Sequence, residues 1–260
     1  QGALSVLQGE VVVAGGIDLV VGQLAPDVKP GELRRAVDQV LDKTVDLGHG
    51  KDRLGGSVYS QVTQRFDSVT PDMEDPKELK KFLELIRSLS AKGAILAYHD
   101  RSDGGLAAAL CEMMFASHVG VEIVADALVS KDRTLNQALF NEELGAVIQV
   151  ARGRAAEVER DFEAAGMGWS LKYLGNLTQD DHLNIYLEGK CVLSEDRVDL
   201  QKAWNEVSWQ IARMRDNPEC ADSEYELISD KHNGGLVLTM GFDPEENLAA
   251  PFINTGVRPK

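Results

Sequence analysis

His99-Asp100-Arg101-Ser102-Asp103-Gly104-Gly105-Leu106 sets two carboxylates, a hydroxyl and a glycine pair between an apolar run and a helical pattern. Ala94-Ile95-Leu96-Ala97-Tyr98 before it reads as a buried strand, and Leu106, Leu110, Met113 and Met114 recur after it at helical spacing. The polar residues therefore fall on a strand-to-helix turn, where free backbone N–H groups attract anions. A carboxylate beside such a position repels a bare phosphate unless a divalent cation takes oxygen ligands from both. That chemistry makes Asp100 a candidate Mg²⁺ ligand. Ser102 or Asp103 also suits a helix N-cap, and Gly104-Gly105 suits a tight turn. Both readings can hold, with Asp103 capping and Asp100 facing a ligand.

A second glycine turn lies upstream. Thr44-Val45-Asp46 begins as a strand, and Leu47 to Ser57 is a loop ending in Gly55-Gly56-Ser57. A pattern with Val58, Val62 and Phe66 at helical spacing follows. The glycine pair allows close backbone approach to an oxyanion, Ser57 offers a hydroxyl, and Lys51 and Arg53 offer charge. Glycine at such a turn also serves packing alone. Neither G-x-x-x-x-G-K-[ST] nor G-x-G-x-x-G can be read here. Two such turns in one chain point to phosphate.

Other polar residues offer less. Asn141-Glu142-Glu143-Leu144 precedes a strand and reads as a solvated turn, the alternative being a carboxylate at the sheet end. Cys111, Cys191 and Cys220 lie far apart without a C-x-x-C pair, and Cys111 reads as a packed thiol. His49, His118, His182 and His232 lack metal-ligand spacing, His99 would orient the Asp100 turn, and no G-x-S-x-G appears.

The elements that must position these turns are interleaved strands and helices. Ile17 to Leu24 reads as a strand, followed by a helical face of Leu33, Val37, Val40 and Leu41. Leu79, Phe82, Leu83, Ile86 and Leu89 form an amphipathic helix between Pro76 and Gly93. Gly145 to Val150 is a strand candidate, followed by a helix carrying Val158 and Phe162 that ends at Gly166. Leu183 to Leu187 and Cys191 to Leu193 flank Gly189-Lys190 as a hairpin. Leu200, Trp204, Val207, Ile211 and Met214 share a helical face that stops near Asn217-Pro218, and Trp204 and Trp209 read as packing. From Glu219 the chain turns acidic, with a short strand at Leu236 to Met240. The pattern predicts a mixed α+β or α/β fold, a mixed sheet flanked by helices, over residues 1–216, with a linker over 217–260.

Length and composition bound the function. With 260 residues, 43% hydrophobic and 27% charged, the chain can bury a substantial core. A formal net charge of −15 argues against nonspecific nucleic-acid binding, and an anionic substrate must rely on backbone donors and local cations. No apolar run approaches the roughly 20 residues needed to cross a bilayer, so a cytoplasmic location is the expectation.

Four ordered segments carry a family resemblance: Asp46 to Ser57, Tyr98 to Leu106, Phe140 to Val150 and Arg215 to Ala221. Together they resemble the large bacterial phosphoribosylformylglycinamidine synthases of purine biosynthesis, over almost the whole chain. The resemblance implies an aminoimidazole-ribonucleotide (AIR)-synthase-like C-terminal fold. It implies an ATP-dependent amidation in which formylglycinamide ribonucleotide, glutamine and ATP give formylglycinamidine ribonucleotide, glutamate, ADP and phosphate.

Residue by residue, it implies that Gly55, Gly56 and Ser57 bind the ribonucleotide phosphate. Asp100 would coordinate Mg²⁺ at an auxiliary, structural ATP/ADP site, with Ser102 touching the nucleotide and no catalytic residue in this chain. The implied partners are the remaining domains of a parent chain, an ATP-binding half before Gln1 and a glutaminase after Lys260. The small-molecule partner is a ribonucleotide, with neither nucleic acid nor membrane, and this chain alone is expected to be inactive. The competing expectations are a relative resembling selenophosphate synthetase or thiamine-phosphate kinase, and a non-enzymatic docking module.

Overall fold

The computed structural model describes residues 5–7, 10–12, 39–66, 69–231, 241–243 and 246–253. The expected strands at Ile17–Leu24 and Leu236–Met240, the positions Leu33 and Val37, and the end of the expected linker lie outside these residues. Ser5–Leu7 (β1) and Glu10–Val12 (β2) form a short antiparallel pair.

The main sheet is built from runs of apolar and β-branched residues that pack well on a pleated surface. Its strands are β3 (Val40–Asp46), β4 (Ile95–Asp100), β5 (Gly120–Val124), β6 (Gly145–Ala151), β7 (Leu171–Thr178), β8 (His182–Leu187) and β9 (Lys190–Asp196), in the order β4-β6-β3-β7-β5-β8-β9. Every pairing is antiparallel except β5 with β8, so the sheet is mixed as expected. The expected hairpin is present: Glu188 and Gly189 both have positive φ, and their two-residue turn joins Leu187 to Lys190.

Two expectations are corrected. Val40 and Leu41 do not continue a helical face but open β3, whose seven residues are almost wholly buried between β6 and β7. The run before Asp100 forms an edge strand, and its middle residues are only half-buried.

Seven α-helices are described: α1 (Val58–Thr63), α2 (Pro76–Ala91), α3 (Gly105–Ser117), α4 (Leu135–Phe140), α5 (Ala155–Ala164), α6 (Arg197–Arg215) and α7 (Pro218–Leu227). Helix α2 starts where Asp75 accepts from the Lys77 amide and Pro76 takes the first helical position. It buries Phe82, Ile86 and Leu89 along one stripe.

The core divides about the sheet. Val147 of β6 joins Leu106, Leu110 and Met114 of α3 with Ile123, Leu174 and Ile185. Its neighbours Ala146, Ile148 and Val150 join Ile86 and Leu89 of α2 and Val158 and Phe162 of α5. Period-two alternation thus feeds helices on both faces.

Helix α6 departs from expectation. Leu200 packs on the first cluster, but Trp204, Val207, Ile211 and Met214 are exposed. Trp204 tilts against Phe115, while Trp209 stacks on Tyr225 of α7 and donates to Asp222. Cys111 is packed against the core, and its burial raises the thiol pKa to about 11. Asp42, opposite Gln149 in the β3–β6 ladder, is fully buried. Neither of its carboxylate oxygens makes a well-formed hydrogen bond among the described residues, and burial raises its pKa to about 7 although the neighbouring Gln149 side chain holds the rise back. No helix among the described residues is long and apolar enough to cross a membrane.

Candidate functional site

Asp100 is the last residue of β4, paired with Ala146, and Arg101 follows with its amide donating to the Gly145 carbonyl. The strand's end therefore fixes where the turn begins. The Asp100 side chain is 57% exposed, and the nearest described cationic atom, His99 Nδ1, lies 3.9 Å from its Oδ1. His99 is held between two acceptors, Nδ1 2.7 Å from the Asp100 carbonyl and Nε2 2.7 Å from Glu112 Oε2. Since a carbonyl and a carboxylate only accept, this setting favours the doubly protonated imidazole. Burial opposes that charge, but the Glu112 and Asp100 contacts raise the His99 pKa above its ordinary value. His99 orients the turn, as the sequence suggested.

The helix cap differs from the sequence reading. Gly104, at φ +80°, is the N-cap of α3 and supplies no side chain, so neither Ser102 nor Asp103 caps the helix. Both are exposed. The backbone crosses the left-handed region at Gly104 and Gly105, a path that costs glycine little. A Cβ at Gly105 would also press on the Leu139 and Asn141 carbonyls.

The Gly55-Gly56-Ser57 turn is more closed than expected. The Gly55 amide donates to the Val69 carbonyl at 2.7 Å and the Ser57 amide to Leu54 at 3.1 Å. A Cβ at Gly55 would fall on the Val69 carbonyl. The Ser57 hydroxyl, expected as a donor to an oxyanion, instead donates to the Leu54 carbonyl at 2.7 Å and accepts from the Ser60 amide as the N-cap of α1. Ser57 is fully buried. Of the three amides, only that of Gly56 is without a partner among the described residues.

Beneath both turns lies a buried polar network that the sequence did not disclose. Asn141 and Glu143, read as a solvated turn, are fully buried. Glu143 takes Arg53 in a fork, Nε to Oε1 at 2.7 Å and Nη2 to Oε2 at 2.7 Å, and also accepts from the Arg53 amide. Arg133 pairs with Asp52 at 2.6 Å and Asp46 at 3.3 Å, while Asn141 bonds Arg101 and Asp52. Burial alone would raise the Asp46 pKa, but Arg101, the Gly48 amide and Arg133 outweigh it and hold the carboxyl below its usual range. Three carboxylates thus face three guanidiniums, as buried charges require, although Asp52 Oδ2 and Arg133 Nε find no hydrogen-bond partner among the described residues. Lys51 and Arg53, proposed from sequence as charge for an anion, both pair with Glu74.

Glu142 joins the two turns. Its Oε1 accepts from the Gly104 amide at 2.9 Å and from the Val58 amide at 2.9 Å. The residue after Ser57 and the cap of α3 therefore lie within two hydrogen-bond lengths of each other. Gly55-Gly56-Ser57 and Asp100 to Gly104, argued separately from sequence, are neighbours through Glu142.

Among the described residues no group of three or more His, Cys, Asp or Glu side chains converges for a metal. Asp100 offers a single exposed carboxylate, which suits one ligand position of a hard cation and no more.

Comparison with known proteins places this geometry in a family. Residues 45–188, which contain both turns and Glu142, match the model described as AIR synthase related protein, C-terminal domain. Among solved structures, Thermotoga maritima PurL complexed with AMPPCP is similar with a TM-score of 0.50 and 14% identity, over 72% of this chain and 27% of that one. Phosphoribosylformylglycinamidine synthase II from Thermotoga maritima gives 0.49 and 15%, over 72% and 28%. Escherichia coli HypE gives 0.43 and 19%, over 63% and 51%. The chain spans about a quarter of the PurL chains and half of HypE. At these identities the likeness concerns the fold. The family match covers more than half of the chain, and the chain belongs to the AIR-synthase-related proteins through their C-terminal domain.

Proposed function

We propose that this chain is part of an ATP-dependent amidotransferase that converts formylglycinamide ribonucleotide to its amidine with glutamine as nitrogen donor. In it, the chain supplies a substrate-phosphate turn and an auxiliary magnesium-nucleotide turn. The observation that carries the reading is the meeting of the two turns at Glu142, which sets an exposed carboxylate and a glycine turn on one rim. The four family-like segments supply the substrate class, and the PurL structures complexed with ATP, ADP, AMPPCP and FGAR make a nucleotide and this ribonucleotide the ligands to test.

The residues divide the work. Gly56 offers the unpaired amide of the first turn, while Gly55 and Ser57 fix its path through bonds to Val69 and Leu54. A backbone donor held this way meets an anion without rearranging. At the second turn Asp100 would hold Mg²⁺ and Ser102 would reach a phosphate or sugar oxygen. The bound ion would neutralise the charge between that carboxylate and the phosphates. Buried Arg101, Asn141 and Glu143 hold both turns from below. The role is binding and positioning, with no proton or nucleophile supplied.

Calorimetry with Mg-ADP tests the reading in the full-length protein carrying this chain. Asp100→Asn is expected to weaken binding at least tenfold in magnesium and to leave binding in EDTA unchanged. Equal Mg-ADP affinity in the two proteins would remove the metal assignment.

A further inference from the structure

We propose that Glu142 is a positioning residue that couples the two ligand turns, so that occupancy of one is felt at the other. The inference rests on the reading of the turns given under Proposed function and adds a link between them. One carboxylate oxygen accepts from two amides that are 84 and 38 residues away in sequence, Val58 and Gly104, at equal distances of 2.9 Å. Val58 directly follows Gly55-Gly56-Ser57, and Gly104 lies two residues beyond Ser102.

The backbone of Glu142 is held on both sides. Asn141 bonds Arg101, in the second turn, and Glu143 forks onto Arg53, in the first loop. Glu142 is half-buried, whereas its two neighbours are fully buried, so its side chain stands at the site's rim.

A shared acceptor makes the two amides compete. When a phosphate draws the Val58 or Gly104 N–H toward itself, the oxygen turns more fully to the other amide, and the second turn shifts or stiffens in response. The carboxylate is also a negative charge placed between the two turns, so a ligand that moves it alters the potential at the other turn. Both effects are differential contacts between free and bound states, which is what linkage requires.

The test measures linkage in the full-length protein, with Mg-ADP and formylglycinamide ribonucleotide as the two probes. The Kd for Mg-ADP is expected to change about fivefold or more when the ribonucleotide saturates, and the ribonucleotide Kd by the same factor when Mg-ADP saturates. In Glu142→Ala the factor falls to one, whatever the affinity for each ligand alone. Glu142→Gln, which keeps an acceptor oxygen at the same place, retains part of the factor. A role in folding alone would lower stability without moving it.

Hydrogen exchange on the unmodified protein gives a second readout: the ribonucleotide alone changes protection at Gly104, and Mg-ADP alone changes it at Val58. Binding of both ligands with a factor of one, or with each ligand affecting only its own turn, overturns the coupling and leaves the site assignment standing. No binding of either ligand to the unmodified protein overturns both.

Discussion

The two glycine turns look alike in sequence and differ in how they are built. At Gly55-Gly56-Ser57 the serine hydroxyl caps its own helix and bonds Leu54, two of three amides are paired, and Ser57 is fully buried. At Asp100 to Gly105 the cap is a bare glycine, Ser102 and Asp103 are exposed, and the Asp100 carboxylate faces outward. The first turn is a braced scaffold that presents backbone. The second presents side chains. Glycine content marks where a chain can turn tightly, but the hydrogen-bond ledger of the turn decides which groups remain for a ligand.

The contrast breaks most severely if the brace beneath the first turn is removed. Glu143 is buried and forks onto Arg53, so Glu143→Ala strips the guanidinium of its fork and leaves it only Glu74 and the Asp72 carbonyl. The expected loss is about 2–3 kcal/mol of unfolding free energy, measured by urea titration. A loss below about 1 kcal/mol would show that the first turn does not depend on this pair.

Asp42 sharpens the same point, because it is a buried carboxylate that, among the described residues, faces no cation and has only the Gln149 side chain as a weak polar neighbour. Its pKa stands at about 7 in the folded chain against 3.8 ordinarily, so between these values the folded state holds a proton that the unfolded state has released. This group's contribution is therefore fully present below about pH 4 and lost as pH rises to about 7. Asp42→Asn is expected to flatten that decline and to raise stability at pH 8, by on the order of a few kcal/mol. Thermal unfolding from pH 4 to pH 8 reads the difference, and an unchanged pH slope would remove the assignment.

Much of the frame is legible in the sequence because its signals are local. Pro76 with the stripe of Phe82, Ile86 and Leu89 announces α2, and Gly189 announces the β8–β9 hairpin. Strand β7 is not legible. Its glycine and lysine break the apolar pattern, and only the structure shows that a Cβ at Gly175 would fall on the Glu122 carbonyl of the neighbouring strand.

The site follows the same division. Both turns could be placed by the switch from strand to helix period. Asn141-Glu142-Glu143 reads as a polar turn because its meaning depends on Arg53, Val58, Arg101 and Gly104, brought to it by the fold from 38 to 90 residues away. A run of polar residues just before a buried strand was the one available signal, and it does not distinguish solvation from burial. The Ser102 and Asp103 caps failed for a local reason, since Gly104 in the left-handed region carries the chain one step further before the helix begins.

The smallest effects give the cleanest comparison, because one substitution can be made at both turns. Ser57→Ala removes the acceptor of the Ser60 amide and the hydroxyl bonded to Leu54, inside a buried turn. A lost N-cap costs about 0.5–2 kcal/mol, and the stranded Leu54 carbonyl still keeps Ser60 Oγ at 2.5 Å, so a loss of about 1 kcal/mol is expected. Ser102→Ala deletes an exposed hydroxyl that caps nothing, and stability should stay within about 0.5 kcal/mol. Binding should reverse the order. Mg-ADP affinity falls in Ser102→Ala and is untouched in Ser57→Ala, because only the second turn offers its serine outward. Paired urea titrations and calorimetry on the two variants decide the matter. Equal stability losses would mean that Ser102 caps α3 after all, and equal binding would mean that the exposed hydroxyl is only solvated.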